Sequence, residues 1–314
     1  MKMSRHMRAA NALAALLAAL LVGGCGGGGG GGDDVPSTAP ALSISNASYA
    51  PGSAQRLAFD QLNAARQQCG FGVVAQSTQL DQAAAAHAGY MNLNSEFGHG
   101  ETAGKPGFTG ATPLDRARAA GYAPRAVGED LSTGGSFNGS TAADSVRNLM
   151  AAPYHAQSLL TGFMEVGLAW NTVASLDTLT VDLGVPAQSQ LRSPEGVATF
   201  PCAGITDAMA RGGNESPSPF PSDPNAEWGQ PIIVAGPEAL RITSAGITGP
   251  SGPVRLLVTY GTGATTDPNG TFTDGWFSVI PEVLQPGTTY AVAIDYTIAG
   301  VPGSTRFSFA TGLH

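Results

Sequence analysis

The sequence predicts an α+β domain followed by a smaller all-β sandwich, and three observations carry that prediction. Helical periodicity occupies the chain from about Ala54 to Met150 and then gives way to two period-2 runs, Met164 to Trp170 and Leu179 to Leu183. A stretch with four prolines and no period, 211–226, comes next. Beyond it every signal is a short strand bounded by Gly, Pro or Asn-Gly turns. Helices followed by strands within one unit give α+β order. About six short strands in the remaining residues suit two sheets packed face to face, with one side of each strand buried.

Taken in order, Leu57, Phe59, Leu62 and Ala65 lie near helical spacing until Cys69-Gly70 ends the run. Ser77 is placed to cap a second helix whose face carries Leu80, Ala84, His87 and Met91 at i, i+4, i+7 and i+11. Residues 95–112 form a polar, Gly-rich loop, and a loop of that length in a compact domain is usually functional. Thr112-Pro113 opens a short helix that Gly121 closes. Thr141 with Asp144 three residues on opens the next, through Val146, Leu149 and Met150, and Pro153 stops it. In the second part the strand signals include Ile232 and Val234, Val254 to Tyr260, and Tyr290 to Tyr296. Leu284 to Tyr290 resembles the corner of immunoglobulin-like modules, where a Tyr hydroxyl bonds back to the chain; that role is structural.

Only 12% of the residues are charged, half the ~25% of an ordinary soluble domain, so solubility rests on Gly, Ser, Thr and Asn. Residues 1–24 have a basic start, an apolar run from Ala9 to Val22 and the small pair Gly23-Gly24, the three parts of an export signal. The run is too short to span ~30 Å of hydrocarbon. Removing Lys2, Arg5 and Arg8 with it takes the formal charge from −8 to −11. No basic surface remains to displace phosphate counterions, so nucleic acid is excluded as a partner. Val22-Gly23-Gly24-Cys25 resembles a bacterial lipobox, which makes Cys25 the acylated attachment to a membrane, with the outer membrane favoured by Gly26 after it. Secretion without an anchor is the alternative. The glycines that follow suit a flexible tether. Cys69 and Cys202 remain, and an even count in an exported protein reads as one disulfide closing a long loop, with ~5 kcal/mol as its upper entropic contribution. The expected organisation is a leader 1–24, a tether 25–52, the α+β domain 53–186, a connector 187–226 and the sandwich 227–314. The sequons at Asn138 and Asn269 read as turns in a bacterial chain.

Once the leader is removed with His6, any histidine-based site must draw on His87, His99, His155 and His314. His314 is terminal, and His87 lies on an apolar helix face, where a hydrogen-bonded core role is expected. His99 stands in the long loop. Leu62-Asn-Ala-Ala-Arg66, Leu80 through His87-Ala88, Phe97-Gly-His99, Asp115-Arg-Ala, Val127-Gly-Glu129, Ala152-Pro-Tyr-His155 and Glu165-Val-Gly-Leu168 follow one another in an order and spacing that resembles the CAP superfamily, in its bacterial secreted branch. That superfamily comprises cysteine-rich secretory proteins, antigen 5 and pathogenesis-related plant proteins. The resemblance covers about residues 54–184 and implies an α-β-α sandwich with a cleft of two His and one or two Glu able to hold a divalent metal. Carried over by motif, the cleft residues are His99, Glu129 and His155. Asp130 stands where relatives have Asn, and the second family Glu has no counterpart, with Glu101 and Asp144 as the substitutes in view.

Two neutral imidazoles and a carboxylate match an open zinc site in ligand type. Glu101 would join them if the loop is extended beyond His99. The competing arrangement is a set of groups that hydrogen-bond one another to brace a Gly-rich loop. Three functions follow: a surface binding module for a small apolar or envelope-derived ligand, a hydrolase using His99, Glu129 and His155 to activate water, and a structural envelope protein. The chain lacks His-Glu-x-x-His and Gly-x-Ser-x-Gly, which argues against the hydrolase.

Overall fold

The computed structural model describes residues 47–133, 141–173, 176–223 and 225–313. The leader, Cys25, most of the tether, the Asn138 sequon and His314 lie outside the described residues. Among the described residues no helix is long and apolar enough to cross a membrane.

Helix α1 (Ala54–Gln68) starts where the Ser53 side chain accepts from Arg56 N. Strand β1 (Ala75–Gln76) leads to α2 (Thr78–Asn94), capped by Ser77 and ended by Ser95 in the left-handed region. Helix α3 (Pro113–Ala119) has a full capping box between Thr112 and Asp115 with Pro at its first turn. Strand β2 (Pro124–Thr133) follows, then α4 (Ala142–Met150), with a second capping box between Thr141 and Asp144. The chain re-enters a helix at once, α5 (Pro153–Leu160), before the hairpin of β3 (Glu165–Val173) and β4 (Leu176–Pro186). Pro153 disfavours helical backbone at Ala152, which is extended, and so stops α4 as the sequence suggests, but it also starts the next helix. It occupies the first turn of a new helix, where the missing N–H has no partner to lose.

These strands make one sheet in the order β1-β3-β4-β2, antiparallel except for β1 beside β3. Alternation along the central strand β4 sets its two faces. Leu179, Val181, Leu183 and Val185 join the core under α1, α4 and α5, while Thr178, Thr180, Asp182 and Gly184 turn toward α2. Helix α2 lies so close to the sheet that a Cβ on Gly167 would sit 2.0 Å from the Leu80 carbonyl carbon. The result is helices on both sides of a sheet.

The remainder is all β. The strands are β5 (Ala198–Phe200), β6 (Gly212–Gly213), β7 (Glu227–Trp228), β8 (Ile232–Ala235), β9 (Leu240–Gly249), β10 (Gly252–Pro253), β11 (Leu256–Tyr260), β12 (Trp276–Pro281), β13 (Thr289–Ile298) and β14 (Val301–Ala310). Two antiparallel four-stranded sheets, β10-β9-β13-β14 and β11-β12-β8-β5, form a sandwich. Gln285 N donates to the Tyr290 hydroxyl at 2.7 Å, the corner bond anticipated from the sequence.

The segment 187–226 does more than connect. Its β5 is an edge strand of the sandwich, and its β6 pairs with β7 to close a hairpin back against the helices. Cys69, at the end of α1, is disulfide-bonded to Cys202. The last carbonyls of α4, which have no intrahelical donor, receive Gln230 Nε2 at Met150 O (2.7 Å) and Trp228 Nε1 at Ala151 O (2.8 Å). Tyr154 donates to Asp267 at 2.5 Å, and Gln157 to Thr271 O. One hydrophobic core runs from Phe59 and Leu160 through Trp228 to Phe277 and Ile294.

Candidate functional site

The loop after α2 is organised around a buried acid and a buried base. Glu101 accepts from Thr109 N (2.7 Å) and Gly110 N (3.2 Å) and lies 3.0 Å from His87 Nδ1; the other His87 nitrogen is 2.9 Å from Gly98 O. His87 is thus a fully buried, hydrogen-bonded core histidine. Glu101 points away from the open side of the loop and braces it. From α3, Arg116 donates to His99 O at 3.0 Å and to Glu129 Oε2 at 2.5 Å, fixing the loop to β2.

Alternation along β2 separates its two acids. Glu129 faces α2 and α3, opposite Asp182 of β4, while Asp130 faces α5. Glu129 Oε1 is 2.9 Å from His99 Nδ1. Burial works against the Glu129 carboxylate, but His99, Arg116 and His87 outweigh it and hold its pKa low. Asp182 is pushed well above the usual carboxylate range by burial and by the Glu129 charge beside it. Asp130 is raised to about 6, mainly by burial, with His155, Ser158 and His99 pulling the other way.

His155 begins α5. Its Nδ1 lies 2.9 Å from Glu215 Oε1, and the same oxygen accepts from Tyr154 N (2.8 Å) and His155 N (3.0 Å), the unpaired donors of the helix N-terminus. Burial disfavours the imidazolium, yet the Glu215 hydrogen bond and the charges of Asp130 and Glu215 prevail and raise its pKa. Glu215 belongs to the hairpin between β6 and β7.

His99 and His155 line one cavity of about 570 Å³. Its walls are the end of β2, the α4–α5 junction, the Phe97–His99 loop and the β6–β7 hairpin. Each imidazole rests its Nδ1 on a carboxylate and leaves Nε2 without a protein partner among the described residues. Glu129 does not line the cavity; it stands behind His99, its side chain 1% exposed. Among the described residues no three His, Cys, Asp or Glu side chains are grouped to hold a metal ion. The donors fit a divalent cation in kind, since carboxylate-oriented imidazoles are the usual ligands, but Glu129 is engaged with His99 and Arg116. Asp144 caps α4 and pairs with Arg147 at 2.6 Å, so neither acid considered as the second Glu takes that place.

A family model for CAP, the cysteine-rich secretory protein family, matches residues 59–183. These residues are a CAP domain. Two solved structures show partial similarity to the chain. An outer surface protein from Borrelia burgdorferi is 15% identical at a TM-score of 0.37, covering 44% of this chain and 96% of its own. An extracellular protein from Bacillus anthracis that contains an SCP domain is 21% identical at a TM-score of 0.34, covering 41% of this chain and 39% of its own. No curated protein matches the sequence.

The CAP-domain cavity therefore includes a residue from outside the matched segment. Glu215 sits in Asn214-Glu215-Ser216-Pro217, where nothing periodic marks it. The one available signal was an acid in the otherwise uncharged run 212–222. Arg116 was likewise visible only as part of a motif, with no role attached.

Proposed function

We propose that this protein is an exported binding module whose CAP-domain cavity takes up a small polar ligand between His99 and His155. A single observation carries the proposal: two imidazoles far apart in sequence meet on one cavity, each oriented through Nδ1 by a buried carboxylate. Export is supported by the leader-like start and by the disulfide, which persists in oxidising compartments. Acylation at Cys25 would hold the module at a membrane through the glycine tether. Hydrolysis is less well supported. A serine or cysteine nucleophile needs a base within hydrogen-bond reach, and among the described residues no hydroxyl or thiol is bonded to either imidazole. A divalent cation such as zinc is the second reading, favoured by the two unpartnered Nε2 atoms; His99 and His155 would hold it, and it would supply a Lewis-acidic point for a ligand oxygen.

Zinc also serves as a probe of the pair. Calorimetric titration of the full chain is expected to show one saturable zinc site that His99→Ala or His155→Ala weakens at least tenfold. Absence of binding, or binding that both variants keep, overturns the joint role of the two rings.

A further inference from the structure

We infer that the cavity takes a neutral, hydroxyl-rich ligand, a short oligosaccharide, and this rests on the cavity being the binding site proposed above. The charged groups on its walls are already matched internally: Arg211 with Glu227 at 2.7 Å, His155 with Glu215, and His99 with Glu129 behind it. No lining cation is left to attract an anion. What stands open is a set of amides and hydroxyls. The side chains of Asn148, Asn214, Asn225, Ser132 and Ser216 line the cavity and have no hydrogen-bond partner among the described residues. Each of these groups both donates and accepts, as a sugar hydroxyl does, whereas carboxylates or ammonium groups offer one role alone. Phe97, 54% exposed, gives an apolar ring against which the C–H face of a pyranose packs.

The wall carrying Asn214 and Asn225 is preformed. Gly212–Gly213 pairs with Glu227–Trp228, and Trp228 is bonded to Ala151 O. Asn214 itself has φ +56°, a left-handed conformation that asparagine adopts more readily than most residues. Groups fixed before binding lose less entropy when a ligand arrives.

The test is titration of the full chain with chitotriose and with cellotriose, followed by calorimetry and saturation-transfer NMR. Saturable binding of at least one is expected. It should weaken roughly tenfold in an Asn214→Gly/Asn225→Ala variant, where glycine suits the backbone at 214 and the melting temperature stays near that of the parent. No saturable binding of either trisaccharide, or binding the variant retains unchanged, overturns the inference. Zinc uptake without saccharide binding discards the ligand class and leaves the imidazole pair standing; loss of both discards the site as well.

Discussion

Asp130 carries its carboxyl at 2% exposure with an Oδ2 that meets no donor, a place where its charged form is unfavourable. Its folded pKa of about 6 lies above the ordinary 3.8, so between those values the folded state holds a proton that the unfolded state has lost. By linkage the Asp130 contribution to stability falls as pH rises from about 4 to about 6 and is level above that. Asp130→Asn removes this dependence. Urea unfolding should show the variant gaining on the parent by up to roughly 3 kcal/mol at pH 7 and by much less at pH 4. An equal difference at both values would show that Asp130 is not titrating between them. His155 behaves oppositely: its raised pKa contributes fully below 6.5 and fades as pH climbs through the folded value.

Among the elements, the β6–β7 hairpin has the largest functional consequence for its size. Its Glu215 holds the first N–H groups of α5 and the Nδ1 of His155 with one oxygen. Glu215→Gln keeps the shape and removes the charge, so NMR titration should place His155 at a lower pKa than in the parent; an unchanged midpoint would detach the hairpin from the ring. The hairpin was illegible in the sequence because two-residue strands and prolines leave no period, and their pairing depends on partners fourteen and sixteen residues apart. Strand β2 was missed for a related reason. Its Gly128-Glu129-Asp130 centre breaks the alternation of apolar side chains, since both acids are buried, on opposite faces, by partners from other elements. Helices α1, α2, α3 and α4 were legible because their caps and apolar faces are local.

At the scale of the whole molecule, the CAP domain and the sandwich share a core and a covalent link. Helix α4 ends on Trp228 and Gln230, and α5 is tied to the Asp267–Thr271 turn. Thermal unfolding is therefore expected as one transition by both circular dichroism and tryptophan fluorescence. Cys69→Ala/Cys202→Ala should lower its midpoint by roughly 10 °C, since closing a loop of that size is worth ~5 kcal/mol at most. Two separated transitions in the parent would mean that the parts fold independently.

Local chemistry in the sequence was enough to determine the helix starts and stops, the order of an α+β part and a β-sandwich, and the Tyr290 corner, while the motif resemblance to the CAP superfamily added His99 and His155 as the pair to watch. Caps, turns and periodicity act over a few residues and are written where they act. Tertiary structure alone decided that Glu129 stands behind His99 instead of beside it, that Glu101 faces inward to His87, and that Glu215 arrives from sixty residues beyond His155 to orient it. Each of those outcomes depends on which faces the packed elements turn toward one another, and burial of a charge is settled by the partner that meets it there.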